Sequence, residues 1–140
     1  MPSQEGIARS IAEAAHAGQV DRAGAPYILH PQRVASLVDG ETAKAAAWLH
    51  DVVEDTALTF GDLASMGVSP EVLAPLRLLT HEPGVPYPEY IGRIKADPVA
   101  KAVKLADLSH NSDLSRLPTV GAEDERRAEK YRRAIEQLSS

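Results

Sequence analysis

The sequence predicts an all-α chain: a single helical bundle of about seven or eight helices, with residues 1–140 forming one domain. Three observations carry this expectation. Apolar residues recur at helical spacing along most of the chain, short breaks containing Gly or Pro separate these stretches, and no run of alternating β-branched residues competes as a strand. A chain of 140 residues is also long enough to bury a core of its own.

The first helix is expected from Pro2 to Ala17, with Ile7, Ile11, Ala14 and Ala15 on its apolar side, stopping near Gly18 before the loop Val20 to Pro26. A second runs from about Tyr27 to Val38 and ends at Asp39–Gly40. Pro31 falls in its first turn, where a missing N–H does no harm. The third, Glu41 to Val53, is alanine-rich and carries Trp48, Leu49, Val52 and Val53. Thr59 opens a short helix that ends near Gly67. Ser69–Pro70–Glu71 reads as an N-cap followed by proline at the first helical position, starting a helix to about Leu79. Three prolines and a glycine make His81 to Pro88 a loop. A helix from Pro88 to Ala96 follows, and Asp97–Pro98 starts another through about Leu114. Leu117 to Gly121 is a break, and Ala122 to Leu138 is a charged surface helix with Ala128, Tyr131, Ile135 and Leu138 on its apolar side.

Composition excludes several classes of function. The chain has no cysteine, so any metal must be held by His nitrogen and carboxylate oxygen. A net charge of −5 disfavours nucleic acid, whose nonspecific binding relies on neutralising phosphates with Lys and Arg. No stretch approaches the roughly 18 apolar residues of a membrane span, and the start MPSQEGIARS does not read as a secretory signal. The expectation is a cytoplasmic protein that acts on a small ligand, without nucleic acid or membrane as partner. The oligomeric state is not legible.

Chemistry concentrates in three places. In Trp48-Leu49-His50-Asp51-Val52-Val53-Glu54-Asp55-Thr56, four ionisable residues interrupt a run that otherwise looks like core, which is costly unless they pair or ligate. Glu54 stands four residues after His50 and three after Asp51, so one helical face can present all three. Adjacent His50 and Asp51 diverge by about 100° on a helix and grip one ion only if it sits between their directions. In the second place, Lys104, Asp107, Asn111 and Leu114 form one helical stripe that joins a cation, a carboxylate and an amide, a set suited to metal and phosphate together. The third is His30, at the start of a helix in Pro26-Tyr27-Ile28-Leu29-His30-Pro31. Taken singly, His30 is a hydrogen-bonded histidine, Asp107 a partner for Lys104, and Glu54–Asp55 solvated acids. The last two sit badly at a helix C-terminus, where negative charge opposes the macrodipole.

The order His30 … His50-Asp51 … Asp107 resembles the H…HD…D pattern of the HD-domain phosphohydrolases. The surrounding text is similar to one branch, the hydrolase domains of Rel/SpoT alarmone enzymes and the stand-alone small alarmone hydrolases. That text is Ala15-His16-Ala17-Gly18-Gln19, Gly24-Ala25-Pro26-Tyr27-Ile28-Leu29-His30-Pro31, the HDVVEDT stretch from His50 to Thr56, and Val103 to Asn111. The resemblance runs from about Ile7 to Leu117. It implies a helical HD domain that binds one Mn²⁺ and removes pyrophosphate from the 3′ position of guanosine tetra- or pentaphosphate. On it, His30, His50, Asp51 and Asp107 are metal ligands, Glu54 and Asp55 the catalytic acidic pair, and Arg22, Lys104 and Asn111 contacts to a small phosphorylated nucleotide. Lys101 is a further candidate cation.

The loop Asp21-Arg22-Ala23 departs from the branch, which carries two adjacent basic residues and then Ser. That leaves open a broader nucleotide phosphohydrolase, such as an NADPH 2′-phosphatase, or a catalytically silent alarmone-binding module. The short chain suggests a stand-alone hydrolase without synthetase, TGS or ACT domains, and Leu79-Thr80-His81 with Tyr87 and Tyr90 resembles a stand-alone bacterial subgroup. His16 and His110 are weighed as a second metal site and set aside for want of carboxylate partners. His81 reads as a loop residue, and the basic cluster Arg126, Arg127, Lys130, Arg132 and Arg133 as a solvated helix face.

Overall fold

Most helices among the described residues begin where a side chain or a proline deals with the first free backbone N–H groups; those that open at Leu29, Glu41 and Val52 start without either. The computed structural model describes residues 3–140, residue 116 through its backbone alone; Pro2, the expected first residue of the first helix, lies outside them. Ser3 caps α1 (Gln4–Ala15) by accepting from the Gly6 N–H. The next helices are α2 (Leu29–Ser36), α3 (Glu41–Leu49) and the single turn α4 (Val52–Asp55). Thr59 and Asp62 form a reciprocal capping box on α5 (Phe60–Ser65). Ser69 stands at the N-cap of α6 (Pro70–Leu79) as expected but makes no side-chain cap bond; its N–H instead donates to the Gln4 side chain. Then follow α7 (Tyr87–Lys95), α8 (Pro98–Asn111), capped by Asp97 accepting from two N–H groups, a 3₁₀ turn at Leu114–Arg116, and α9 (Ala122–Ser139). Among the described residues there is no strand, only an isolated bridge between Val20 and Pro26. No helix among them is long and apolar enough to cross a membrane.

α3 is the axis of the bundle, in contact with α1, α2, α6 and α8. Its alanines 45, 46 and 47 and Leu49 are wholly buried. Small side chains let neighbouring backbones approach closely, and the volume between them is filled by Val34, Val72, Leu76, Ile91, Ile94, Val103, Leu108 and Leu138. Gly40, at φ +89°, makes the turn into α3, a backbone angle that L side chains rarely adopt.

Expected and observed helix ends differ by a residue or two in several places, and three differences bear on the site. The second starts at Leu29 rather than Tyr27, because the backbone of Asp21 to Tyr27 is held as a tight loop by Asp21 N–H to Ala25 O and Tyr27 N–H to Gln19 O. The helix expected from Asp97–Pro98 through Leu114 ends at Asn111, so Leu114 leaves the Lys104–Asp107–Asn111 stripe and enters the 3₁₀ turn that Asp113 caps. Most consequentially, Glu41 to Val53 is not one helix. The α3 ladder stops at Leu49, Asp51 takes φ −105° and ψ −5°, and α4 restarts at Val52.

Because α3 has no free volume beside its alanines, Ala46→Leu should cost about 1–3 kcal/mol, read as a lower urea midpoint at unchanged slope. Ala64→Leu, on the exposed side of α5, should change stability by less than about 0.5 kcal/mol. Equal effects would mean that α3 is not the packed axis.

Candidate metal centre

The break after Leu49 decides how the centre is built. On a continuous helix His50 and Asp51 would point apart; at a helix end both side chains turn to the same spot. There His50 Nε2 lies 3.1 Å from Asp51 Oδ2 and 3.3 Å from Asp107 Oδ1. From α2, His30 Nε2 reaches to 2.9 Å of Asp107 Oδ1, 3.2 Å of His50 Nε2 and 3.6 Å of Asp51 Oδ2. His30, His50 and Asp107 thus bring one donor atom each to a common point, with Asp51 Oδ2 beside the two imidazoles. His30, His50 and Asp107 are each 4% exposed, while Asp51 is half-buried and faces a cleft.

Proton positions make this a cluster of lone pairs. His50 Nδ1–H donates to the Ala47 carbonyl at 2.6 Å, which leaves Nε2 as the acceptor nitrogen. His30 Nδ1 lies 2.8 Å from His110 Nδ1, with the rings stacked at 11°. When His30 donates there, its Nε2 also turns a lone pair inward. Around an ion with bonds of about 2.1 Å, adjacent donors stand about 3.0 Å apart in an octahedron and about 3.4 Å in a tetrahedron. The separations among His30, His50 and Asp107, 2.9–3.3 Å, lie close to that range, and Asp51 Oδ2 is 3.1 and 3.6 Å from the two imidazoles. His30, His50 and Asp107 therefore form a group able to hold a metal ion, with Asp51 as a fourth donor at its edge. Nitrogen and oxygen donors of this kind suit a hard or borderline divalent ion.

The electrostatics show how strongly the two carboxylates draw positive charge to this point, whether a proton on the His50 ring or a cation in its place. Burial opposes charge on His50, yet Asp51 and Asp107 outweigh it and hold the imidazole well above its ordinary value. Burial alone would raise Asp51, but His50 brings it down to about 2. Asp107 is likewise held well below the carboxylate range, by Lys104 and His50 against burial. Both carboxylates are thus kept ionised, the form that ligates a cation. Lys104 Nζ sits 3.0 Å from Asp107 Oδ2, and Asn111 Nδ2 donates to Asp107 Oδ1 at 2.9 Å. Tyr27 donates its hydroxyl to Asp51 Oδ2, and burial with the nearby Asp51 charge raises that phenol far above its usual range.

The cluster opens onto a cavity of about 240 Å³. Its walls include Asp51, Glu54, Asp55, Asp107, Lys104, Asn111 and the tyrosines 27, 87, 90 and 131. Burial raises Glu54 and Asp55 above their ordinary values, and the nearby Asp51 adds to it in both. The Glu54 carboxylate accepts the His81 backbone N–H, and the His81 ring stacks on Tyr90 at 4.4 Å. The Tyr87 hydroxyl, also in this wall, is a buried polar atom without a hydrogen-bond partner among the described residues. Across Tyr27, Asn111 and Tyr131 lies a second cavity of about 270 Å³, with Val20, Ala23, Leu114 and Leu117 among its apolar lining and Arg22 and Arg127 among its charges.

All nine residues singled out in the sequence line one of these two cavities or the cluster behind them. Arg22 is at the second cavity, 2.6 Å from Asp124 of α9. Lys101 lines neither. Asp21 accepts from the N–H groups of Ala23 and Ala25, so the departure in that loop shapes the loop's own backbone. His110 backs His30 instead of founding a second site. Sequence reasoning missed Tyr27, although it stands three residues before His30, and it missed the inward side of α9, where Asp124, Arg127, Lys130 and Tyr131 complete the two cavities.

The chain matches no family model. It is 33% identical, over an alignment of 142 positions that covers 92% of its length, to a probable GTP pyrophosphokinase of Mycobacterium leprae, and 44% identical over 61 residues, 40% of its length, to the bifunctional (p)ppGpp synthase/hydrolase SpoT of Escherichia coli K12. It spans 17% and 8% of the length of these two relatives. A guanosine-3′,5′-bis(diphosphate) 3′-pyrophosphohydrolase of Haemophilus influenzae is 52% identical over 54 residues, 35% of this chain and 8% of the relative. Among solved structures, a metazoan ortholog of SpoT described as hydrolyzing ppGpp superposes with a TM-score of 0.77 at 26% identity, covering 99% of this chain and 87% of that one. The all-helical architecture, the convergent His30, His50 and Asp107, and these likenesses together make the chain an HD-domain protein of the Rel/SpoT hydrolase type.

Proposed function

We propose that residues 1–140 form one domain, a metal-dependent phosphohydrolase that removes the 3′-pyrophosphate of guanosine tetra- or pentaphosphate. The observation that carries this is the position of Glu54 and Asp55: an acidic pair, each raised in proton affinity by burial, on the rim of the cleft into which Asp51 and Asp107 of the donor cluster face. His30, His50, Asp51 and Asp107 would hold one Mn²⁺, which supplies Lewis acidity toward a phosphoryl oxygen and toward water. The residues of the chain supply the rest. Glu54 or Asp55 accepts a proton as water adds to the proximal 3′ phosphorus, a contribution of about 10²–10⁴-fold for a well-placed base. The bond from that phosphorus to the ribose 3′ oxygen breaks, and the oxygen takes up a proton, so that water is consumed and pyrophosphate released. Lys104 offsets charge that develops on the phosphoryl oxygens.

The second cavity supports a nucleoside there, bordered by the Arg22 loop on one side and α9 on the other, with Asn111 and Tyr131 shared by both cavities. A cytoplasmic location belongs to the same proposal, since its nucleotide substrate is intracellular.

With Mn²⁺ restored to metal-stripped protein, guanosine tetraphosphate should yield the 5′-diphosphate and pyrophosphate by mass spectrometry, ahead of its adenosine counterpart, NADPH and common nucleotides. No turnover of any of them with any divalent ion would end the hydrolase assignment. Asp107→Ala should abolish metal retention, measured by elemental analysis after desalting. Glu54→Ala should keep the metal and lose turnover; equal metal loss would show that the two residues do not divide the work this way. Tyr27→Phe removes the donor that orients Asp51 and should weaken Mn²⁺ about 10–100-fold in a calorimetric titration; unchanged affinity would make Tyr27 a packing residue.

A further inference from the structure

Five basic side chains ride on α9, and four of them are paired within it. Arg126, Arg127, Arg132 and Arg133 stand 2.7, 3.1, 2.9 and 3.4 Å from Glu123, Asp124, Glu129 and Glu129. Lys130 is different. No acid occupies the positions three or four residues to either side of it, and among the described residues no carboxylate lies within 4.0 Å of its ammonium. Of the five it alone lines the cleft of the metal centre. Its Nζ is 4.1 Å from the centre of the Tyr87 ring, a contact that holds a cation in place without neutralising it. Lys104, the other ammonium of the cleft, is already engaged with Asp107.

The cavities follow one another along α9. Asp124 and Arg127 border the apolar hollow, Tyr131 is shared, Lys130 borders the metal cleft, and Lys130 with Arg133 and Gln137 lines a third hollow beyond it. A nucleotide with its base in the first hollow and its reacting phosphate at the metal centre therefore carries whatever lies past that phosphate to Lys130. Resting on the hydrolase assignment above, we infer that Lys130 is a specificity-determining residue that binds the distal phosphate of a diphosphate arm. It selects nucleotides whose scissile phosphate bears a second phosphate over those that end at the first. The bond is charge-assisted, between an ammonium with no acid partner and a phosphate oxygen at the rim.

The test compares wild-type protein with Lys130→Met, Lys130→Arg and, as a control on the paired surface, Arg132→Met, all loaded with Mn²⁺. Calorimetric titration with inorganic pyrophosphate should show about tenfold weaker binding in Lys130→Met, most of the affinity regained in Lys130→Arg and none lost in Arg132→Met. Guanosine 3′-monophosphate, which ends at the reacting phosphate, should bind all four within about twofold. KM for guanosine tetraphosphate should rise with the loss of pyrophosphate affinity while kcat stays within about threefold. Wild-type pyrophosphate affinity in Lys130→Met would overturn the inference, as would an equal loss in Arg132→Met or an equal loss for the monophosphate. A wild-type protein that turns nothing over yet binds pyrophosphate through Lys130 would remove the hydrolase assignment and leave the phosphate site standing.

Discussion

Two imidazoles and two carboxylates meet inside a bundle whose axis is built of alanine, and much of the molecule answers to that meeting. Burying Asp107 uncompensated would be prohibitive, and so would turning two histidine lone pairs toward each other at 3.2 Å. Lys104 meets part of that cost by neutralising one oxygen of Asp107, and the proposed divalent ion would meet the rest from the side of the convergent His30, His50 and Asp107 donors. Packing and chemistry are coupled through α3: the small residues that bring α1, α2 and α8 together also bring His30 and Asp107 within reach of His50.

That demand also explains the irregular backbone between α3 and α4. A helix continued through His50 and Asp51 would satisfy more backbone hydrogen bonds, but it would aim the two side chains about 100° apart. Ending the ladder at Leu49 frees the Ala47 carbonyl to accept from the His50 ring and lets Asp51 turn toward the same point. The cost is one turn of helix. In return Glu54 and Asp55 leave the axis of α3 and come to the rim of the cleft, where burial raises their proton affinity.

The all-helical architecture and the positions of most breaks were legible from periodicity, capping residues and proline, because those signals act locally. The break at His50–Asp51 was not, since no proline or glycine marks it; what it serves shows only in the approach of His50 to Asp107, far along the chain. Metal-type residues stood out because ionisable groups in an apolar run are costly. Tyr27 and His110 were hidden as supports, since each acts only through the donor it orients. The charged face of α9 concealed Lys130 by resemblance to its paired neighbours, although the absence of an acid three or four residues away is written in the sequence. Which side of a charged helix turns inward depends on α7 and α8, and only the assembled bundle fixes that.

Pulsed electron paramagnetic resonance of the Mn²⁺-loaded protein tests the convergence itself most directly. Two directly bound imidazole nitrogens are expected in the wild type, one in His50→Ala, and no bound ion in Asp107→Ala. An ion with no nitrogen ligand, or one whose nitrogen couplings survive His50→Ala unchanged, would place the metal elsewhere and contradict the account.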